Sequence, residues 1–158
     1  LLTDPYFPKH QLIPAALHQQ LSEHYDYLVR YGEWLQGYNH TSAEHSAWAD
    51  GILSPDFLHI KGDVWSAVRK HDRFTTISLV NFNGLASDTR WDEEHPAPAA
   101  LTELSIRVTA GNKPSKIVWA SPEQKEEGPI SINFEYINHE VIFTIPFIQL
   151  SGVIIIHD

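Results

Sequence analysis

The sequence predicts an antiparallel β-sandwich preceded by one long amphipathic helix. Three observations carry this. From residue 63 onward the apolar residues recur with a period close to two, the signature of half-buried strands. Turn-forming clusters separate these runs at short, regular intervals. Between Pro14 and Gln36 the period is instead that of a helix, with Leu17, Leu21, Tyr25, Leu28, Tyr31 and Leu35 at three- and four-residue steps.

The elements follow in order. Residues 1–10, LLTDPYFPKH, carry two prolines and read as irregular. Pro14 suits the first helical turn, where its missing N–H costs nothing, and Gly37 is a C-terminal stop. Gly32 weakens the last turn. The helix face is wide and rich in aromatics, so it calls for a large packing partner. Residues 38–62 have no sustained period and read as an irregular connection, with one short strand near Phe57–Ile60. VWSAVRK (64–70) and RFTTISLVNF (73–82) form a hairpin around His71 and Asp72. TELSIRVTA (102–110) runs into the Gly111-Asn112-Lys113-Pro114 turn, and KIVWAS (116–121) follows as a short strand. SPEQKEEGP is a charged loop. SINFEYI (131–137) and VIFTIPF (141–147) flank Asn138-His139-Glu140 as a second hairpin, and GVIIIH (152–157) is the last strand. About seven short strands with regular turns fit a two-sheet sandwich.

Composition narrows the function. The chain has 158 residues, 11 Lys and Arg against 20 Asp and Glu, and a formal charge of −9. Such a surface repels phosphate backbones and anionic membranes, so neither nucleic acid nor a membrane is an expected partner. A neutral ligand such as a sugar is not excluded by charge. The absence of cysteine removes disulfides, thiolate metal sites and cysteine nucleophiles. The absence of methionine suggests a piece of a longer chain or a processed product. No apolar run approaches the roughly 18 residues of a membrane span.

The candidates for chemistry are few. The loop after the first hairpin holds Asp88, Asp92, Glu93 and Glu94 around Trp91. A glycosidase needs paired carboxylates, one with a raised pKa. In a Pro- and Ala-rich loop these acids are better read as a solvated run. Trp91 could stack on a sugar ring, although burial at the sandwich rim is the preferred reading. The ten histidines include pairs such as His10 and His18, or His40 and His45, without the spacing of a helical metal site. His59, His139 and His157 sit near strand ends. No metal or cofactor is expected. There is no G-x-S-x-G and no phosphate-binding glycine loop. Trp65 and Trp119 read as core, and Trp34 as a residue that docks the helix. On these grounds alone the chain is an accessory or ligand-binding module.

The order of motifs adds to this. YFPKHQL (6–12), HYDYLVRYGEWL (24–35), DVWSAVRKHDRFTTISLVNFNG (63–84), TRW (89–91), LTELSIRV (101–108), KIVWASPE (116–123) and VIFTIPFIQLSGVIIIHD (141–158) follow one another along nearly the whole chain. This succession resembles the C-terminal end of glycoside hydrolase family 66, which contains endo-dextranases and cycloisomaltooligosaccharide glucanotransferases. The resemblance implies an extracellular bacterial parent enzyme acting on α-1,6-linked glucan. It implies a retaining reaction, with its Asp nucleophile and Glu acid/base on the strands of a (β/α)8 barrel upstream. No catalytic residue carries over to this chain, and Asp92, Glu93 and Glu94 match no catalytic position. It further implies Greek-key topology for the sandwich. The division is then 1–37 as the helical end of the barrel, 38–62 as a connection and 63–158 as the C-terminal sandwich. The expected partners are the barrel, α-1,6-glucan, and a second copy through Leu17, Leu21, Tyr25 and Leu28 should the barrel be absent. Trp91 would help form the sandwich or its barrel contact, with a sugar contact as the second possibility. Two other readings stand beside this one: an independent carbohydrate-binding module, and a domain whose helix docks on another protein.

Overall fold

The computed structural model describes residues 14–36, 41–42, 47–48, 53–55, 64–84, 97–124 and 128–158. The predicted helix is present but broken. α1 spans Ala15–Arg30 and α2 spans Gly32–Gln36. Pro14 precedes α1 at φ −51°, and its carbonyl accepts the His18 N–H at 2.9 Å. Tyr31 leaves the helical region at φ −111°, and its carbonyl accepts from both Trp34 and Leu35. Gly32 follows at once, with no side chain to bind the turn in place. The single helix over 14–36 is therefore two, jointed where Tyr31 turns inward. The Gly37 stop lies outside the described residues.

Among the described residues eleven strands form two sheets. The first contains β1 (Thr41–Ser42), β4 (Val64–Lys70), β5 (Phe74–Asn81), β11 (Ser151–His157), β7 (Lys116–Ala120) and β8 (Ile130–Ile132) in that order, with β3 (Leu53–Pro55) lying parallel to β4. The second has the order β2 (Ala47–Trp48), β6 (Leu101–Thr109), β10 (Glu140–Ile148), β9 (Phe134–Ile137). All pairings but β3–β4 are antiparallel. The β4–β5 hairpin pairs Val64 with Asn81 and Lys70 with Thr75, as the alternation predicts. The last strand inserts between β5 and β7. That is the crossed connectivity of a Greek-key sandwich.

Two segments depart from the expected layout. SINFEYI is two strands instead of one. Ile130–Ile132 pairs with β7, the chain turns at Asn133, and Phe134–Ile137 pairs with β10 in the other sheet. The segment thus wraps one open side of the sandwich. The stretch 38–62 contributes β1 and β3 to the first sheet and β2 to the second. The strand expected near Phe57–Ile60 lies outside the described residues.

The core explains the order. Ile77, Leu79, Ile117, Trp119, Ile154 and Ile156 face Leu104, Ile106, Val108, Val141, Phe143 and Ile145 across the two sheets, all nearly inaccessible to water. A second cluster lies on the other face of the first sheet. There Val118, Ala120, Val153 and Ile155 are covered by Tyr27 and Tyr31. β7 and β11 are consequently buried on both faces, which is why KIVWA and GVIIIH are continuous apolar runs. The outer face of the second sheet is wet, with Ser105, Arg107, Glu135 and Thr144 exposed. Trp119 is fully buried as predicted. Trp65 is not: Val64, Ser66 and Val68 alternate inward, so Trp65 falls on the outer face of β4 and stays half-buried. No helix among the described residues is long and apolar enough to cross a membrane.

Candidate functional site

The helices and the sheet beneath them form the seam on which the rest of the surface depends. Tyr27 of α1 and Tyr31 just past its end pack onto β7 and β11, their rings edge to face at 5.2 Å. Trp34 stacks on Tyr31 at 5.4 Å and 12°. Trp34 and Leu35 complete the packing, which matches the docking role read for Trp34. Arg69 on β4 donates to the Leu35 carbonyl at 3.0 Å and ties the end of α2 to the sheet.

On one flank of the seam is a cleft of about 100 Å³ between Glu23, Asp26 and Arg30 of α1 and Ser121, Pro122 and Gln124. Ser121 is buried and its hydroxyl has no hydrogen-bond partner. Burial pushes the Tyr27 phenol well above the usual tyrosine range, and the nearby Glu123 carboxylate and the Tyr31 phenol add to the effect. Glu123 itself accepts the Leu150 N–H through Oε1 at 3.2 Å.

On the other flank is a larger trough of about 480 Å³. Its walls are His24, Leu28 and Leu35 on the helices, and Val80, Phe82, Pro98 and Leu150 on the sandwich. Asn81 fixes the sandwich side. Its amide donates to the carbonyls of Ala99 (2.9 Å) and Gln149 (2.8 Å), and its Oδ1 accepts the Asn83 N–H at 2.9 Å. Gln149 in turn donates to the Pro98 carbonyl at 2.7 Å. The surface the trough exposes is mainly apolar, although His24, Ser78, Asn81 and Ser151 also line it, so it suits binding by contact rather than proton transfer. A third hollow, shallow and open, lies along β8 and β9 between Ile130, Phe134, Ile142 and Pro146.

The predicted site residues are only partly placed by these elements. Trp91 and the acids Asp88, Asp92, Glu93 and Glu94 lie outside the described residues, as do His10, His40, His45 and His59. His18 is exposed on α1. His139 sits in the β9–β10 turn, with Nδ1 3.2 Å from the Tyr136 hydroxyl, and His157 ends β11. Among the described residues no three His, Cys, Asp or Glu side chains gather as a metal site. Sequence reasoning missed the trough. The signal was the unbroken apolar run of β11, which required a cover on its outer face and so placed α1 across it.

The sequence model for glycosyl hydrolase family 66 matches residues 1–155. The chain belongs to that family. A fold comparison agrees. A crystal structure of the Paenibacillus sp. cycloisomaltooligosaccharide glucanotransferase, complexed with cycloisomaltoheptaose, superposes with a TM-score of 0.76 at 18% identity. The match covers 90% of this chain but 21% of the glucanotransferase, so this family 66 chain spans about a fifth of that relative. An α-L-fucosidase isoenzyme 2 from Paenibacillus thiaminolyticus matches at a TM-score of 0.46 and 12% identity, over 60% of this chain and 14% of its own. That likeness is too loose to bear on function. No curated protein sequence matches the chain significantly.

Proposed function

We propose that this chain is the non-catalytic C-terminal segment of a family 66 enzyme acting on α-1,6-linked glucan, and that it supports the catalytic part. In this reading residues 1–37 are the helical end of a (β/α)8 barrel, 38–62 a connection and 63–158 the supporting sandwich. Proportion carries the reading: the family match runs along nearly the whole chain, yet the related glucanotransferase is matched over only 21% of its length. The carboxylates on the described strands point the same way. Glu103 and Glu135 are exposed on the second sheet, and Glu140 is half-buried with Arg107 3.8 Å away, so these strands present no sheltered pair of carboxylates of the kind a glycosidase uses. The choice between hydrolysis and cyclising transfer would then be made in the barrel.

The test is an assay of the separate chain on dextran, paired with electrophoresis in gels with and without dextran. Neither turnover nor retardation is expected. Turnover would sink the reading. Retardation without turnover would favour a carbohydrate-binding module, and Trp91→Ala would then be the first variant to make.

A further inference from the structure

Of the asparagines in the chain, only Asn83 is followed by glycine. Asn83 and Gly84 lie in the turn that follows β5. The Asn83 backbone is pinned on both sides. Its N–H donates to Asn81 Oδ1 at 2.9 Å, and its carbonyl accepts the Ala99 N–H at 2.8 Å. Its side chain is held far less well. Among the described residues the Asn83 amide reaches one acceptor, the Ala99 carbonyl at 3.5 Å, and that carbonyl already takes the Asn81 amide at 2.9 Å. Gly84 follows at φ 79°, exposed to water, and no hydrogen bond among the described residues engages its N–H. Without a Cβ, its nitrogen is unscreened and its backbone turns easily. The other described asparagines differ. Asn81 is buried with its amide held by two carbonyls, and Asn112, Asn133 and Asn138 precede Lys113, Phe134 and His139, whose side chains crowd the following nitrogen.

We propose that Asn83 is a modification site: it deamidates spontaneously, with water as the co-reactant, and the product loosens the joint between Asn83 and Ala99. The Gly84 nitrogen gives up its proton and attacks Asn83 Cγ. The N–Cγ bond forms, the Cγ–Nδ2 bond breaks, and the amide departs as ammonia carrying that proton. The result is a five-membered succinimide whose nitrogen is that of Gly84. Water then opens the ring. Attack at Cγ gives aspartate, and attack at the main-chain carbonyl of residue 83 gives isoaspartate. Nothing is oxidised or reduced. Either product adds one negative charge to the −9 of the chain. In aspartate that charge faces the Ala99 carbonyl, an acceptor with no proton to offer. In isoaspartate the carbonyl that accepts the Ala99 N–H leaves the main chain, which gains a methylene in its place. Asn81 bonds to both sides of this joint, so its hold on Asn83 and Ala99 weakens with it.

The experiment ages the full polypeptide that carries this chain, beside its Asn83→Gln variant, in mildly alkaline and mildly acidic buffer. Peptide mapping by mass spectrometry, with fragmentation that separates isoaspartate from aspartate, follows each asparagine. Asn83→Gln disturbs little, because the native amide has only the 3.5 Å contact, and its ring would need a sixth member and closes slowly. The expected result is loss of the Asn83 peptide ahead of those of Asn112 and Asn138, with isoaspartate exceeding aspartate and faster loss in alkali, where the Gly84 nitrogen is more readily deprotonated. Asp50 precedes Gly51 and can isomerise through the same ring, but without a change of mass or charge, so the two sites are not confused. Hydrogen exchange at the Ala99 amide should quicken in the aged wild type and stay unchanged in aged Asn83→Gln. The inference is overturned if Asn83 stays intact in the folded protein over a time that converts it in urea, because the fold then protects it. It is overturned too if another asparagine is converted first. Conversion at Asn83 with unchanged exchange at Ala99 overturns the effect on the joint.

Discussion

Gly152 has no side chain because the Trp119 indole occupies the place where one would go. A Cβ at Gly152 would meet Cη2 of that ring and lie 2.6 Å from Cζ2. Trp119 pairs with Ile154, two residues further along β11, and lies diagonally across the same inner face. The largest fully buried side chain of the sandwich is thus seated on bare backbone. Gly152→Ala should destabilise the fold by about 1–3 kcal/mol, the range for overpacking a tight core. Trp119→Phe should recover part of that loss in the double variant, although alone it leaves a void. A denaturant-midpoint cycle over the four proteins measures the coupling, and additive effects would show that the two positions do not compete for space.

Asn81 ties three separate stretches together, and all of its side-chain polar atoms are engaged. Removing it takes a donor from the carbonyls of Ala99 and Gln149 and the acceptor from the N–H of Asn83 at once, leaving Ala99 only the longer contact from the Asn83 amide at 3.5 Å. Asn81→Ala should therefore cost about 1–3 kcal/mol, above the value of one average hydrogen bond, because three bonds of a buried side chain are lost together. Hydrogen exchange should quicken at the Asn83 amide first. Unchanged protection there would mean that the Asn83 N–H does not depend on Asn81.

These two residues mark what the sequence does and does not disclose. Strand alternation places Leu79 and Asn81 on one face of β5, and the period of the last strand places Gly152 with Ile154. Nothing local says that Asn81 reaches across 18 and 68 residues to its acceptors, since those contacts exist only once the sheets are stacked. The joint at Tyr31 is hidden for a similar reason: the helical period runs on through Leu35, and packing against β11 breaks it. Asn133 conceals a change of sheet because Phe134 and Tyr136 keep the alternation that Ile130 and Ile132 began. The short strands within 38–62 have no period of their own to read. The trough is legible only in outline, through the double-sided burial of β7 and β11.

Tyr27 should make the protein sensitive to strong alkali. Its phenol titrates well above the ordinary value of about 10 that it would have when unfolded. The folded state therefore holds this proton more tightly. Its contribution to stability is fully present below about pH 10 and is lost as the pH rises toward the folded-state value. Tyr27→Phe cannot ionise, so its unfolding free energy should fall less steeply above pH 10 than that of the wild type. Glu123→Gln should have a smaller effect in the same direction, because burial is the larger cause. Urea unfolding between pH 8 and pH 11 tests both, and parallel curves for wild type and Tyr27→Phe would refute the assignment.

The β9–β10 turn is the place where one substitution should add stability. Asn138 and His139 both sit in the left-handed region, at φ 53° and 64°, as a two-residue hairpin of this hand requires. Asparagine tolerates that conformation, but histidine bears most of the penalty of about 1–2 kcal/mol. His139 recovers some of it through Nδ1, 3.2 Å from the Tyr136 hydroxyl. That hydroxyl has a second partner, the Gly111 carbonyl at 3.2 Å, which ties the hairpin tip to the neighbouring turn whatever stands at 139. His139→Gly should relieve the backbone without freeing Tyr136, for a net gain of about 0.5–1 kcal/mol. His139→Ala keeps the strain and loses the ring, so it should be less stable than wild type. A gain in both variants would place the benefit in the loss of the imidazole, and a loss in both would show that the His139–Tyr136 contact outweighs the strain.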